Sequence, residues 1–135
     1  MPAYYRNYPK NRKNENMIES KIYIGLNDLT TNTQLFENEK YISVLRKVCY
    51  SYKVPFSFCV QEGGYIYENG MYAKETCLVL TLIDVGKSVV NDIAKDLCAF
   101  FRQESVLIAE STIQAYFVSE KLECDSERDS GDNKK

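Results

Sequence analysis

Residues 75–83, Glu-Thr-Cys-Leu-Val-Leu-Thr-Leu-Ile, are apolar almost without interruption. A run of that length and character predicts a central strand covered on both faces. The chain leading into it is equally constraining. Tyr65-Ile66-Tyr67 is followed by Glu68-Asn69-Gly70-Met71, and Asn-Gly is the preferred pair for a two-residue type I′ hairpin, because both central residues need positive φ. That turn sets Tyr67 opposite Tyr72 and Tyr65 opposite Lys74, with a bend or bulge expected at Gly63-Gly64.

The remaining elements follow from periodicity. Ile22, Ile24 and Leu26 alternate with polar neighbours over residues 21–26, as in a half-buried strand that closes at Asn27-Asp28. Thr31 and Gln34 have capping-box spacing, and Tyr41, Leu45, Val48 and Tyr52 recur at helical intervals, predicting a first helix over about 33–52. Pro55 stops it, and Phe56, Phe58 and Val60 open a second strand. Val89, Ile93, Leu97 and Phe100, flanked by Val90, Ala94 and Phe101, predict a second helix from Val85 to Phe101. Residues 105–109 and 113–118 read as a fourth strand with a bulge near Glu110-Ser111.

The order strand, helix, strand, strand, helix, strand is the split βαβ, ferredoxin-like arrangement of the α+β class. It implies a four-stranded antiparallel sheet in the order 4-1-3-2, with two helices on one face. The expected organisation is a disordered basic, Tyr-rich leader over residues 1–19, one ferredoxin-like domain over 20–119, and a disordered charged tail over 120–135.

Composition narrows the function classes. A net charge of -2 and no basic stripe argue against DNA as a partner. No apolar run reaches the roughly 20 residues that span a bilayer, so a cytoplasmic protein without a membrane partner is expected. Five cysteines lack any metal-ligand spacing, and four of them lie in hydrophobic runs, as free thiols do in a reducing compartment. With no histidine in the chain, chemistry at a site must come from carboxylates, Tyr, Lys, Arg or Ser.

The ferredoxin-like order brings three junctions to one end of the sheet: the close of strand one, the central hairpin and the start of strand four. The candidate ligand-binding residues gathered there are Asn27, Tyr65, Tyr67, Tyr72, Lys74, Glu75, Arg102, Gln103, Glu104 and Ser105. The segments 21–28, 64–70, 75–80 and Gln103-Glu104-Ser105-Val106-Leu107 resemble an uncharacterised group of small prokaryotic and prophage-borne ferredoxin-like proteins. The resemblance spans about residues 20–118 and implies the fold and the site location, but no reaction.

The leading functional expectation is a non-enzymatic binding protein, a homo-oligomer of at least two copies. It would capture a small polar ligand, such as a nucleotide-derived signal that a phage sequesters from its host. Tyrosines would stack on a base, Arg102 and Lys74 would meet anionic groups, and Gln103, Ser105 and Asn27 would orient the ligand. No cofactor is expected. One alternative is a metal-dependent phosphoester hydrolase in which Asp28, Glu75 and Glu104 hold a hard cation; another is a protein-interaction or inhibitor module using the sheet face or edge. Oligomerisation is expected because the sheet face away from the helices would carry Tyr23, Cys77 or Val79.

Overall fold

The computed structural model describes residues 15–120 apart from Tyr67, with the backbone alone of Glu15 and Tyr65. Six elements follow one another: β1 (Glu15–Gly25), α1 (Asn38–Tyr52), β2 (Ser57–Ile66), β3 (Tyr72–Ile83), α2 (Lys87–Phe100) and β4 (Leu107–Ala115). The sheet is antiparallel in the order β2-β3-β1-β4, which is the expected 4-1-3-2 read from the other edge. The apolar run at 75–83 is indeed central. Residues 17–113 form one compact unit, which carries the core and the candidate site; the described part of a second unit is residues 15–16 and 114–120. No helix among the described residues is long and apolar enough to cross a membrane.

The core is built from one face of each strand and one stripe of each helix. Ile22, Ile24, Leu78, Leu80 and Leu82 meet Leu45, Val48 and Cys49 of α1 and Val90, Ile93 and Leu97 of α2 in a single buried cluster. Both helices therefore cover the same face of the sheet. Burial in this cluster pushes the Cys49 thiol up to about 12. On the opposite face Val79 is also buried, while Tyr23 and Cys77 are half-buried. The open apolar face expected there is thus largely withdrawn from water.

Several element boundaries differ from the sequence expectation. β1 begins at Glu15, so residues 15–19, expected in the leader, are strand; Met17 and Ser20 are buried within it. α1 begins at Asn38 and not near residue 33. The Thr31/Gln34 capping box is not used: Gln34 Nε2 donates to Phe36 O and Asn38 Oδ1, both at 2.8 Å. In α2 the buried face is Val90, Ile93, Ala94 and Leu97, continued by Phe101, whereas Phe100 is 65% exposed. The two adjacent phenylalanines straddle the end of the stripe, and the inward one is Phe101, edge-to-face with Tyr41 at 5.2 Å. β4 runs without interruption through Glu110-Ser111.

The hairpin differs by one residue. β2 pairs with β3 in one unbroken register from Ser57↔Thr81 to Ile66↔Tyr72, placing Tyr65 opposite Ala73 and Lys74 opposite Gly64. The expected pairings of Tyr67 with Tyr72 and Tyr65 with Lys74 are not formed, and Gly63-Gly64 carries no bulge. The connection is longer than two residues, with positive φ at Gly70 (85°) but not at Asn69. Asn69 acts through its side chain instead, whose Oδ1 accepts the Met71 N–H at 3.0 Å. An Asx-type bond of this kind lets asparagine close a turn from an ordinary negative φ.

Candidate functional site

β1 delivers Asn27 and Asp28 just past its last pair, Gly25↔Cys77. Leu26 N–H still bonds Thr76 O at 3.0 Å, so the chain stays against β3 for another step. Glu75 is thereby brought beside Asn27, whose backbone N–H donates to Glu75 Oε2 at 3.0 Å. The Asn27 side chain donates to Lys74 O at 3.3 Å. Gly25 makes the Glu75 position possible: a Cβ there would stand 2.6 Å from Glu75 Cδ and 2.9 Å from Oε1. The half-buried carboxylate thus lies over bare backbone, with one oxygen anchored.

The start of the β4 approach is clamped to the same strand end. Arg102 adopts a left-handed φ of 53°, which turns the chain sharply out of α2. Its Nε donates to Asp28 Oδ1 at 2.6 Å and its Nη2 to Thr30 Oγ1 at 3.0 Å. Asp28 is 4% exposed, and its other oxygen accepts the Thr30 N–H at 2.9 Å and the Thr31 N–H at 3.4 Å. The Arg102 hydrogen bond first, then those backbone donors, hold the Asp28 carboxyl below the usual carboxylate range against the opposing effect of burial. Gln103 completes the clamp, its Nε2 donating to Asn27 O at 2.7 Å and Phe101 O at 3.3 Å.

Asn27, Lys74, Glu75, Arg102 and Gln103 therefore come together as expected, and Asp28 joins them. They do so in unequal states. Arg102 uses Nε on Asp28 and one Nη2 N–H on Thr30, leaving Nη1 without a partner among the described residues on a side chain 58% exposed, whereas both N–H groups of the Gln103 amide are committed to backbone. Glu104 and Ser105 are exposed and make no polar contact among the described residues. Tyr72 sits on the outer hairpin, 75% exposed and away from the clamp. Tyr67, and the side chain of Tyr65, lie outside the described residues. Sequence reasoning missed Gly25. Nothing local marks it, because its role appears only once the register sets it opposite the strand carrying Glu75.

Among the described residues no three His, Cys, Asp or Glu side chains are grouped to hold a metal ion. Asp28, Glu75 and Glu104, expected as a carboxylate triad, face separate partners: Arg102, the Asn27 N–H and solvent.

No protein-family model matches the chain, and no curated protein matches it. Solved structures do. The chain is similar to a phage SAM lyase in complex with S-methyl-5'-thioadenosine, with 21% identity and a TM-score of 0.56 over 82% of this chain and 99% of that one. The same is true of a phage SAM lyase in its apo state, with 21% identity, a TM-score of 0.54, and 76% and 92% of the two chains covered. CutA from Synechococcus elongatus follows at 10% identity and a TM-score of 0.51, over 76% of this chain and 81% of that chain. At these identities the likeness establishes the fold.

Proposed function

We propose that this protein binds a nucleoside-derived small molecule at the end of the sheet where β1, β3 and residues 102–105 meet, and that the ligand is a cationic nucleoside of the S-adenosylmethionine type. The observation that carries the reading is Glu75. Its carboxylate is held at a half-buried position by the Asn27 N–H and lies over the bare backbone of Gly25, and its second oxygen, without a hydrogen-bond partner among the described residues, can accept a cation. A sulfonium or α-ammonium group suits such a lone anchored carboxylate better than a hard metal ion, which takes several oxygen ligands. Exposed Glu104, Ser105 and Lys74 make no side-chain bond among the described residues and can meet hydroxyl, amino and carboxylate groups. The likeness to a phage SAM lyase bound to S-methyl-5'-thioadenosine supports the choice of nucleoside, and together with the prophage-type sequence resemblance supports a phage setting.

Capture without turnover is the simpler form of this reading. Lyase turnover is the second, favoured by the thioadenosine bound to the similar structure. It needs no histidine: breaking a carbon–sulfur bond of the sulfonium sends the electron pair to sulfur and releases neutral methylthioadenosine. The carbon left behind closes onto the substrate's own carboxylate or loses a proton.

Calorimetric titration with S-adenosylmethionine and with neutral methylthioadenosine tests both forms. Glu75→Gln should weaken S-adenosylmethionine by about tenfold or more, the worth of one charge-assisted contact, and leave methylthioadenosine nearly unchanged. Release of methylthioadenosine during incubation identifies turnover; recovery of the intact sulfonium identifies capture. Absence of binding by either nucleoside at millimolar concentration would overturn the reading.

A further inference from the structure

The connection between β2 and β3 carries Asn69-Gly70, the one place in the sequence where asparagine precedes glycine. In that pair the side-chain amide and the next backbone nitrogen meet with least hindrance, because glycine places no Cβ beside the nitrogen. A fold permits their reaction when the side chain turns back over the following residue, the nitrogen is free of other bonds, and water reaches the product. Other asparagines are held out of it. The Asn27 amide is tied to Lys74 O at 3.3 Å, the Asn38 Oδ1 accepts from Gln34 Nε2 at 2.8 Å, and Asn91 lies within α2, whose ladder engages the next N–H.

Asn69 meets all of these conditions. Its Oδ1 accepts the Met71 N–H at 3.0 Å, closing a ring that contains both its own Cγ and the Gly70 nitrogen. The Gly70 N–H makes no hydrogen bond among the described residues. Residues 68–71 are exposed, and a Cβ built on Gly70 would meet nothing within 4 Å, so solvent reaches the turn. The Met71 N–H has a further effect. It donates to the oxygen on which negative charge develops when Cγ is attacked, the placement by which a backbone N–H stabilises a tetrahedral intermediate.

We infer that Asn69-Gly70 is a site of spontaneous covalent rearrangement in the folded chain, proceeding through a succinimide. The Gly70 nitrogen forms a bond to Asn69 Cγ, the Cγ–Nδ2 bond breaks, and Nδ2 leaves as ammonia with the proton that the Gly70 nitrogen gives up. Water then opens the ring at one of its two carbonyls. Opening at Cγ gives aspartate; opening at the main-chain carbonyl gives isoaspartate, in which the backbone runs through Cβ and Cγ. Water is the only co-reactant, and nothing is oxidised or reduced. Either product adds a negative charge next to Glu68. Isoaspartate also lengthens the backbone by an atom and draws into it the carbonyl that held the Met71 N–H. The last strand pair, Ile66↔Tyr72, adjoins this turn, so the end of the hairpin loosens as the protein ages. None of this depends on the ligand reading above.

Incubation of the full chain at mildly alkaline pH, followed by tryptic digestion and mass spectrometry, tests it. The peptide of residues 54–74 should gain the mass difference between a hydroxyl and an amino group, and should resolve into two isomers on chromatography. It should do so before any peptide carrying another asparagine. The same chain unfolded in urea is the reference: the native rate should equal or exceed the unfolded one, because the turn supplies both the folded-back side chain and the Met71 donor. Asn69→Gln, which would have to close a six-membered ring, should hold the peptide mass constant. Gly70→Ala should slow the conversion by about tenfold or more, through the shielding Cβ and the strain of a φ of 85°. Earlier conversion at another asparagine, a native rate below the unfolded one, or the same mass gain in Asn69→Gln would each overturn the assignment.

Discussion

Replacing Gly25 by alanine probes whether the Glu75 carboxylate depends on the missing side chain. The backbone there is extended strand, so alanine fits the dihedral angles and should gain about 0.4–1 kcal/mol by restricting the unfolded chain. Against this, the new Cβ would stand 2.6 Å from Glu75 Cδ, and the carboxylate must swing away from the Asn27 N–H that it accepts at 3.0 Å. A hydrogen bond to a charged acceptor is worth about 1.5–3 kcal/mol. The net expectation is a loss of roughly 0.5–2.5 kcal/mol, measured by urea unfolding at pH 7. The decisive comparison adds Glu75→Ala and the double variant. Once the carboxylate is gone, Gly25→Ala should turn neutral or stabilising, giving a coupling energy of about 1.5–3 kcal/mol, whereas distant, independent sites add within about 0.5. Additive losses would refute the cradle, and Glu75 would then owe its position to something other than Gly25.

Two other perturbations have defined outcomes. Gly70→Val places a β-branched residue at φ 85° with nothing within 4 Å of the new Cβ, so its cost is conformational, about 1–3 kcal/mol, and should appear as faster hydrogen exchange in residues 62–66 and 72–76 with the core unaffected. The Asp28–Arg102 pair should respond to acid: the folded carboxyl lies below its ordinary value, so the stability it confers is complete above about pH 4 and is lost as pH falls through that lowered value. Asp28→Asn should flatten this acid limb of the unfolding profile, and an unchanged limb would remove Asp28 from its cause.

What was legible in the sequence was whatever repeats locally. The run at 75–83 was recognisable as the central strand because strands buried on both faces lose their polar alternation, and the order of elements then left one topology. Phase was less secure. Phe100 and Phe101 satisfy the helical period about equally, and only the Tyr41 ring chooses Phe101. The hairpin was read one residue out of register because Asn-Gly has two ways to close a turn, by backbone or by the Asn69 side chain, and the second allows a longer loop. The start of β1 was missed because residues 15–19 lack the alternation that marked residues 21–26. At the site, the residue types and their convergence were accessible, but their commitments were not. Arg102 was expected to meet a ligand anion; the sequence did not show that its Nε is also bonded to Asp28, a residue 74 positions away.

The clamp has a consequence for the order in which the molecule acquires its properties. Its bonds close loops of 48, 74 and 76 residues: the first needs the end of β1 against β3, the other two need the end of α2 beside residues 27–28, and the full set needs all three together. Long loops close late, since their entropy is lost before any contact compensates for it. The sheet-end geometry is therefore a property of the finished chain alone, absent from any partly folded form that already holds the β2–β3 hairpin or either helix. A molecule that recognises that geometry would discriminate complete from incomplete folds, drawing the population toward completion in proportion to its own free concentration.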